Sequence, residues 1–214
     1  MPRRAPPPEP TPASGSTTKG ERSKAKLVAA TAELLQRQGY HATGLAQIVE
    51  ESGAPRGSLY FYFPGGKEEL ACAALAEAGS AWRERLETLV NDTPDLLAAL
   101  DAVCNTLGDA LEASGFELGC PVATVALEAS SASEPVRATC ASHFAQWERS
   151  IAARLRGSGV PRATAAELAV TVLATVEGAL LLAKVERSRR PLRHAAKVLR
   201  WALWGAMAST APPP

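Results

Sequence analysis

The sequence predicts an all-α protein of about nine helices, a small three-helix head followed by a longer helical bundle. Three observations predict it. Apolar residues recur along one face of a 3.6-residue repeat. Gly, Pro, Asn and Asp cluster at intervals that cut the chain into helix-sized pieces. No stretch alternates apolar and polar residues as a half-buried strand would.

The elements follow in order. Residues 1–18 are rich in Pro, Ser and Thr, without apolar period, and are expected to be a disordered tail. Arg3 and Arg4 lie in it, and solvation is the plainer reading of them than DNA contact. The first helix should run from Lys19 to Gln38, with Leu27, Ala30, Leu34 and Leu35 on one face and Gly39 as its stop. Thr43 suits an N-cap for a second helix from Gly44 to Ser52, with Leu45, Ile48 and Val49 inward. Gly53 supplies a turn that needs positive φ. Pro55 fits the first position of a third helix, which reaches Tyr62. Pro64-Gly65-Gly66 breaks it, and Lys67 opens a long fourth helix to Val90.

Asp95–Ala113 forms the fifth helix, after Asn91-Asp92-Thr93-Pro94, and the loop Ser114–Cys120 follows. The sixth is expected at Pro121–Ala129, the seventh at Glu134–Arg156, the eighth at Arg162–Arg187 and the ninth at Leu192–Ala208. Glu134-Pro135, Gly157-Ser158-Gly159 and Arg190-Pro191 separate them. The closing Ala-Pro-Pro-Pro reads as a frayed end.

Composition narrows the class. At 214 residues, 46% apolar and 21% charged, the chain has an ordinary soluble composition and can bury a core. No run of about 18 apolar residues suggests a membrane span. The basic start lacks an apolar secretory region, so a cytoplasmic protein is expected. Net charge is +1, yet residues 1–67 carry nine Lys/Arg against five Asp/Glu, and the remainder is acidic. A basic front suits a protein that presents one end to phosphates. Cys72, Cys104, Cys120 and Cys140 show no metal-ligand spacing and read as small buried residues, with a redox pair left open. His41, His143 and His194 are isolated, no catalytic constellation stands out, and no cofactor or metal is expected.

The head carries the chemistry. Two short helices around Gly53 have the layout that puts a second helix into the major groove. Pro55, Arg56, Gly57 and Ser58 combine small residues with one long donor at that helix's start. Leu59 and Phe63, four apart, suit its inner face. Tyr60 offers a hydroxyl, and Lys67 sits where a helix N-terminus can meet phosphate. An ordinary helical hairpin with solvated polar residues is the competing reading.

The spacing of Gly39-Tyr40, Thr43, Leu45, Ile48, Gly53, Gly57, Leu59-Tyr60, Phe63, Lys67 and Leu70 resembles the DNA-binding domain of the TetR family of transcriptional regulators. GCPVATVALE at 119–128 is similar to the LmrA/YxaF-like branch. The resemblance implies a DNA-binding domain at 19–66, continuing into the fourth helix to about 80, and a ligand-binding and dimerisation domain at 67–210. It implies a phosphate contact at Thr43. It turns Gln47, Pro55, Arg56, Gly57 and Ser58 to the major groove, makes Tyr60 and Phe61 the aromatic pair, and puts Lys67 on the DNA backbone. Tyr62 departs from the pattern, standing where many members have histidine.

In the body the resemblance implies a small-molecule pocket, with Trp82, Val103, Leu107, Phe116, Cys120, Val125, His143, Trp147 and Leu173 as candidates. Core packing is the plainer reading of each taken singly. Glu177 interrupts an apolar run, and its carboxylate needs solvent, a partner or a ligand. An exposed or interface position is favoured for it over a ligand contact. A dimer interface is expected from Leu168, Val172, Thr175, Ala179, Leu182, Leu192, Leu199, Trp201, Leu203 and Trp204. The implied function is a homodimeric repressor, released by an unidentified small-molecule effector from a double-stranded, palindromic DNA operator of efflux or catabolic genes, with no membrane partner. A ligand-binding or enzymatic bundle without DNA binding, or an activator, are the alternatives.

Overall fold

The computed structural model describes residues 19–208. The expected tail at 1–18, with Arg3 and Arg4, and the closing Ala-Pro-Pro-Pro lie outside them. Among the described residues the elements are α1 (Lys19–Ala42), α2 (Leu45–Ser52), α3 (Arg56–Tyr62), α4 (Gly66–Asn91), α5 (Leu96–Ala113), α6 (Pro121–Ala129), α7 (Glu134–Gly157), α8 (Arg162–Glu186) and α9 (Arg190–Ala208), and there is no strand. The predicted helices are all present, most within one or two residues of their expected ends.

The differences have local causes. Gly39 does not end α1; it kinks it, at φ 81° and ψ −176°, and the helix resumes to Ala42. Thr43 is not a cap: Gly44 takes that position, and the Thr43 hydroxyl donates back to the Gly39 carbonyl at 2.7 Å. Pro55 stands just outside α3 as its N-cap rather than inside it. Pro191 does not separate α8 from α9 but lies in the first turn of α9, where its missing N–H breaks no helical bond. Arg187 makes the separation, closing α8 in the left-handed region at φ 48°.

Two cores hold the molecule. The first joins α1 (Leu27, Leu35), α2 (Ile48), α3 (Leu59), the start of α4 (Leu70, Leu75), α6 (Val122, Val125) and α7 (Val136). The second joins α5 (Leu111), the end of α7 (Leu155), α8 (Leu180) and α9 (Leu192, Leu199, Leu203). Each fully buried aliphatic side chain contributes about 1.5–3 kcal/mol. The long α4 leaves the first core with its N-terminal half and runs along α7 and α5 with its C-terminal half. The head is therefore fastened to the body by α4 and α6.

The expectation about membrane spans has one helix to account for. Helix α8 is long and apolar enough to cross a membrane by length and composition. The reason lies in its surroundings: Ala165, Ala169, Val176 and Ala183 are buried, while Val170, Leu181, Leu182 and Val185 form a second apolar face that is exposed. Such a helix is a core helix with one additional apolar surface.

Candidate functional site

The outward face of the head is built by α2, the turn and α3. Gly53 takes φ 59° and ends α2 with its N–H on the Glu50 carbonyl at 3.2 Å. Leu59 and Phe63 anchor α3 at 1% and 2% exposure. With those two inward, Pro55, Arg56 and Gly57 are exposed and Ser58 is half-buried. Tyr60 and Phe61 stand out at 65% and 77% exposure, large for aromatic side chains of a folded chain. Tyr62 is half-buried against the first core, edge-on to Phe61 with ring centres 4.9 Å apart.

Three expected contacts look different in place. Thr43 is 1% exposed with its hydroxyl spent on Gly39, so it is a structural residue of the α1–α2 corner and presents no hydroxyl to phosphate. Gln47 is half-buried, and Gln38 of α1 donates to its side-chain carbonyl at 2.8 Å and to the Ala42 carbonyl at 2.9 Å. Lys67 is half-buried, its ammonium 4.5 Å from the Tyr40 ring centre and 3.4 Å from the His41 carbonyl. Burial lowers its pKa, against a smaller opposite pull from Glu128.

Glu128, on α6, was not singled out by sequence. Its carboxylate accepts the His41 backbone N–H at 2.9 Å, just past the kink. A Cβ on Gly39 would lie 1.9 Å from the same carboxylate. The loop just before α6 is tied as well: Gln36 of α1 donates to the Gly119 carbonyl at 2.6 Å. These two contacts join α1 to the last turn of α6 and to the loop before it, and nothing in local spacing signals them, because each spans more than eighty residues.

Behind α6 lies a cavity of about 690 Å³ between α4, α5, α7 and α8. Trp82, Val103, Leu107, Cys120, Trp147, Leu173 and Glu177 line it. Three candidates fall outside. Val125 is fully buried in the first core. Phe116 packs against the second core from the α5–α6 loop. His143 faces the α4 backbone, where a Cβ on Gly79 would lie 2.6 Å from its Nδ1, and burial depresses its pKa. Sequence missed a polar group in the wall. Arg83 donates to Glu87 at 2.8 Å, Ser150 donates to Glu87 at 2.5 Å, and Arg154 donates to the Thr93 and Pro94 carbonyls. No motif marks these residues, because the group is assembled from α4, the α4–α5 loop and α7.

Glu177 is not exposed. It is half-buried in the cavity wall, near Cys120, and burial raises its pKa. The Cys120 thiol is pushed well up by burial and by Glu177. All four cysteines are free, and burial pushes Cys104 and Cys140 to about 11, so neither is a ready nucleophile near neutral pH.

The anticipated interface residues divide. Leu182, Trp201 and Trp204 are exposed, at 54%, 64% and 65%. Val172, Ala179, Leu192, Leu199 and Leu203 are buried in the second core, and Val172 and Leu203 also line the cavity, so they are corrected to interior positions. Leu168 and Thr175 are half-buried. Their places on the outside are taken by Val170, Leu181, Val185 and Val198. The helical face was read one step out of phase because α8 is apolar on both sides.

A helix-turn-helix head with its second helix exposed, carried on a helical body, is the architecture of a DNA-binding regulator. Comparison with known proteins agrees. Residues 27–74 match the model of bacterial regulatory proteins of the tetR family, and residues 97–198 match the C-terminal domain of LmrA/YxaF-like transcriptional regulators. The chain is 38% identical to an HTH-type transcriptional regulator of Mycobacterium tuberculosis, over 82% of this chain and 91% of that one. It is 36% identical to the HTH-type transcriptional regulator LmrA of Bacillus subtilis, over 80% and 92% respectively. A TetR-family regulator from Cytophaga hutchinsonii shares the fold, with a TM-score of 0.78 at 21% identity over 90% of this chain and 98% of that one. The chain belongs to the TetR family, in its LmrA/YxaF-like branch, and is a DNA-binding transcriptional regulator rather than an enzyme.

Proposed function

We propose that the chain is a homodimeric, cytoplasmic repressor that binds a palindromic operator and is released by a small-molecule effector held in the cavity. In this reading residues 19–66 form the DNA-binding unit and 67–210 the sensing and dimerising unit. Arg56 reads a base edge or a phosphate, Gly57 lets the backbone approach, and Ser58, Tyr60 and Lys67 add hydrogen bonds to the DNA. Gln47, held by Gln38, orients α2 across the same groove. The exposed apolar faces of α8 and α9 pair with those of a second copy. A two-fold dimer sets its recognition helices about 34–36 Å apart, one turn of DNA.

The observation that carries the release mechanism is the position of α6. Its N-terminal end borders the cavity at Cys120, and its last turn and the loop before it are bonded to α1. An effector that favours a shifted α6 favours a shifted head, and the two half-site spacings then differ. Only a difference in affinity for the two states does this. Anisotropy with a labelled palindromic duplex from the gene's own upstream region tests the reading, with genomic fragments as a second set. Salt-sensitive, saturable binding is expected; absence of binding to every fragment refutes it.

A further inference from the structure

We infer that the cavity takes an apolar organic acid in its anionic form, with the carboxylate at Arg154 and the apolar body toward α5 and α8. The inference rests on the effector reading above and adds the chemical class of the effector. The body of such a molecule fits the wall made by Leu100, Val103, Leu107, Leu173 and Val176, where apolar surface leaves water. The α4–α7 wall is different. Trp147, Ser150 and Arg154 follow at helical spacing on the side of α7 that lines the cavity. Ser150 donates to Glu87 of α4, which also accepts from Arg83. Polar side chains thus run along about 10 Å of this seam.

The seam is rich in donors and short of acceptors. Nε of Arg83, Nε of Arg154 and Nε1 of Trp147 are buried without a hydrogen-bond partner. A buried donor left so is costly, and a ligand that brings acceptor oxygens removes that cost. The acceptors nearby are taken: Glu87 receives Arg83 and Ser150, and the Gly119 carbonyl receives Gln36. Charge points the same way. Arg83, Glu87, Arg154 and Glu177 are the charged side chains of the wall. Arg83 and Glu87 form an ion pair at 2.8 Å. The Arg154 guanidinium donates to the Thr93 and Pro94 carbonyls, and among the described residues no carboxylate pairs with it. Glu177 lacks an ion pair too, but the two are not equivalent. A buried carboxyl can take up a proton and become neutral, whereas a guanidinium stays charged. Burial already draws Glu177 that way. The charge left over in the wall is therefore positive. A carboxylate answers both needs, because it neutralises Arg154 and offers its oxygens to a planar fork of donors.

The test uses two ions of nearly equal shape and opposite charge, biphenyl-4-carboxylate and biphenyl-4-carboxamidinium, titrated calorimetrically into the full chain at neutral pH. The carboxylate should bind at least tenfold more tightly than the amidinium. Arg154→Gln should remove that preference, and Glu177→Gln should leave it in place. If Arg154→Gln does not fold, the comparison of the two ions on the unsubstituted protein still decides. No binding of the carboxylate, equal binding of the two ions, tighter binding of the amidinium, or a preference that survives Arg154→Gln overturns the inference and leaves the effector reading standing. Saturating carboxylate should also weaken binding to the operator. The expected preference with unchanged operator affinity supports the site and overturns the effector reading.

Discussion

Glu177 shows how burial of one residue ties stability to pH. Its folded pKa is raised above 4.5, chiefly by burial. Above the unfolded value the folded state holds the proton more tightly than the unfolded chain does. The stabilisation linked to it is complete below about pH 4.5 and is lost as pH rises through the folded value. Glu177→Gln keeps the shape and removes the titration. Its melting temperature should exceed that of the unsubstituted protein at pH 7, and the gain should shrink toward pH 4; a pH-independent difference would remove burial as the cause. Sequence flagged Glu177 as an interruption in an apolar run and favoured an exposed or interface position over a ligand contact, because whether that side of α8 meets water or a cavity depends on helices that are distant in sequence. Thr43 was misjudged for a related reason. A Thr before a helix is a good cap by local rules, yet the kink at Gly39 offers its hydroxyl a buried carbonyl.

Among elements, α3 was the most legible and α8 the least. Leu59 and Phe63, four apart, fix which side of α3 is inward, so the outward placement of Arg56, Gly57 and Tyr60 followed from spacing. For α8 the apolar residues surround the helix and carry no phase, which is why Val172 and Ala179 were assigned outward. The tie between α6 and α1 was invisible to any local pattern. It makes a specific demand at the kink, where Gly39 needs φ 81° and lies against Glu128. Gly39→Ala strains the backbone and displaces the carboxylate that caps His41. It should cost about 1–3 kcal/mol of stability and weaken operator binding beyond that loss. Denaturant unfolding and DNA titration of the same sample check both; unchanged operator affinity would uncouple the kink from DNA binding.

At the scale of the whole molecule, the second apolar face of α8 and the exposed tryptophans of α9 need an occupant. Leu182→Asp with Trp201→Asp places two charges on that face and leaves both cores untouched. The variant should keep its helical circular dichroism, sediment as a monomer and lose most of its operator affinity. A dimer of unchanged strength would move the interface elsewhere. The central claim is that α3, carried twice by a symmetric dimer, reads a palindrome. It is tested most directly by titrating the full operator and an isolated half-site with the unsubstituted protein and with Arg56→Ala. The account predicts tight, salt-dependent binding of two protomers to the full operator and much weaker binding to the half-site. It also predicts that Arg56→Ala costs about 1–3 kcal/mol on the operator, with little change on unrelated DNA. Equal affinity of the unsubstituted protein for operator, half-site and unrelated DNA would contradict it.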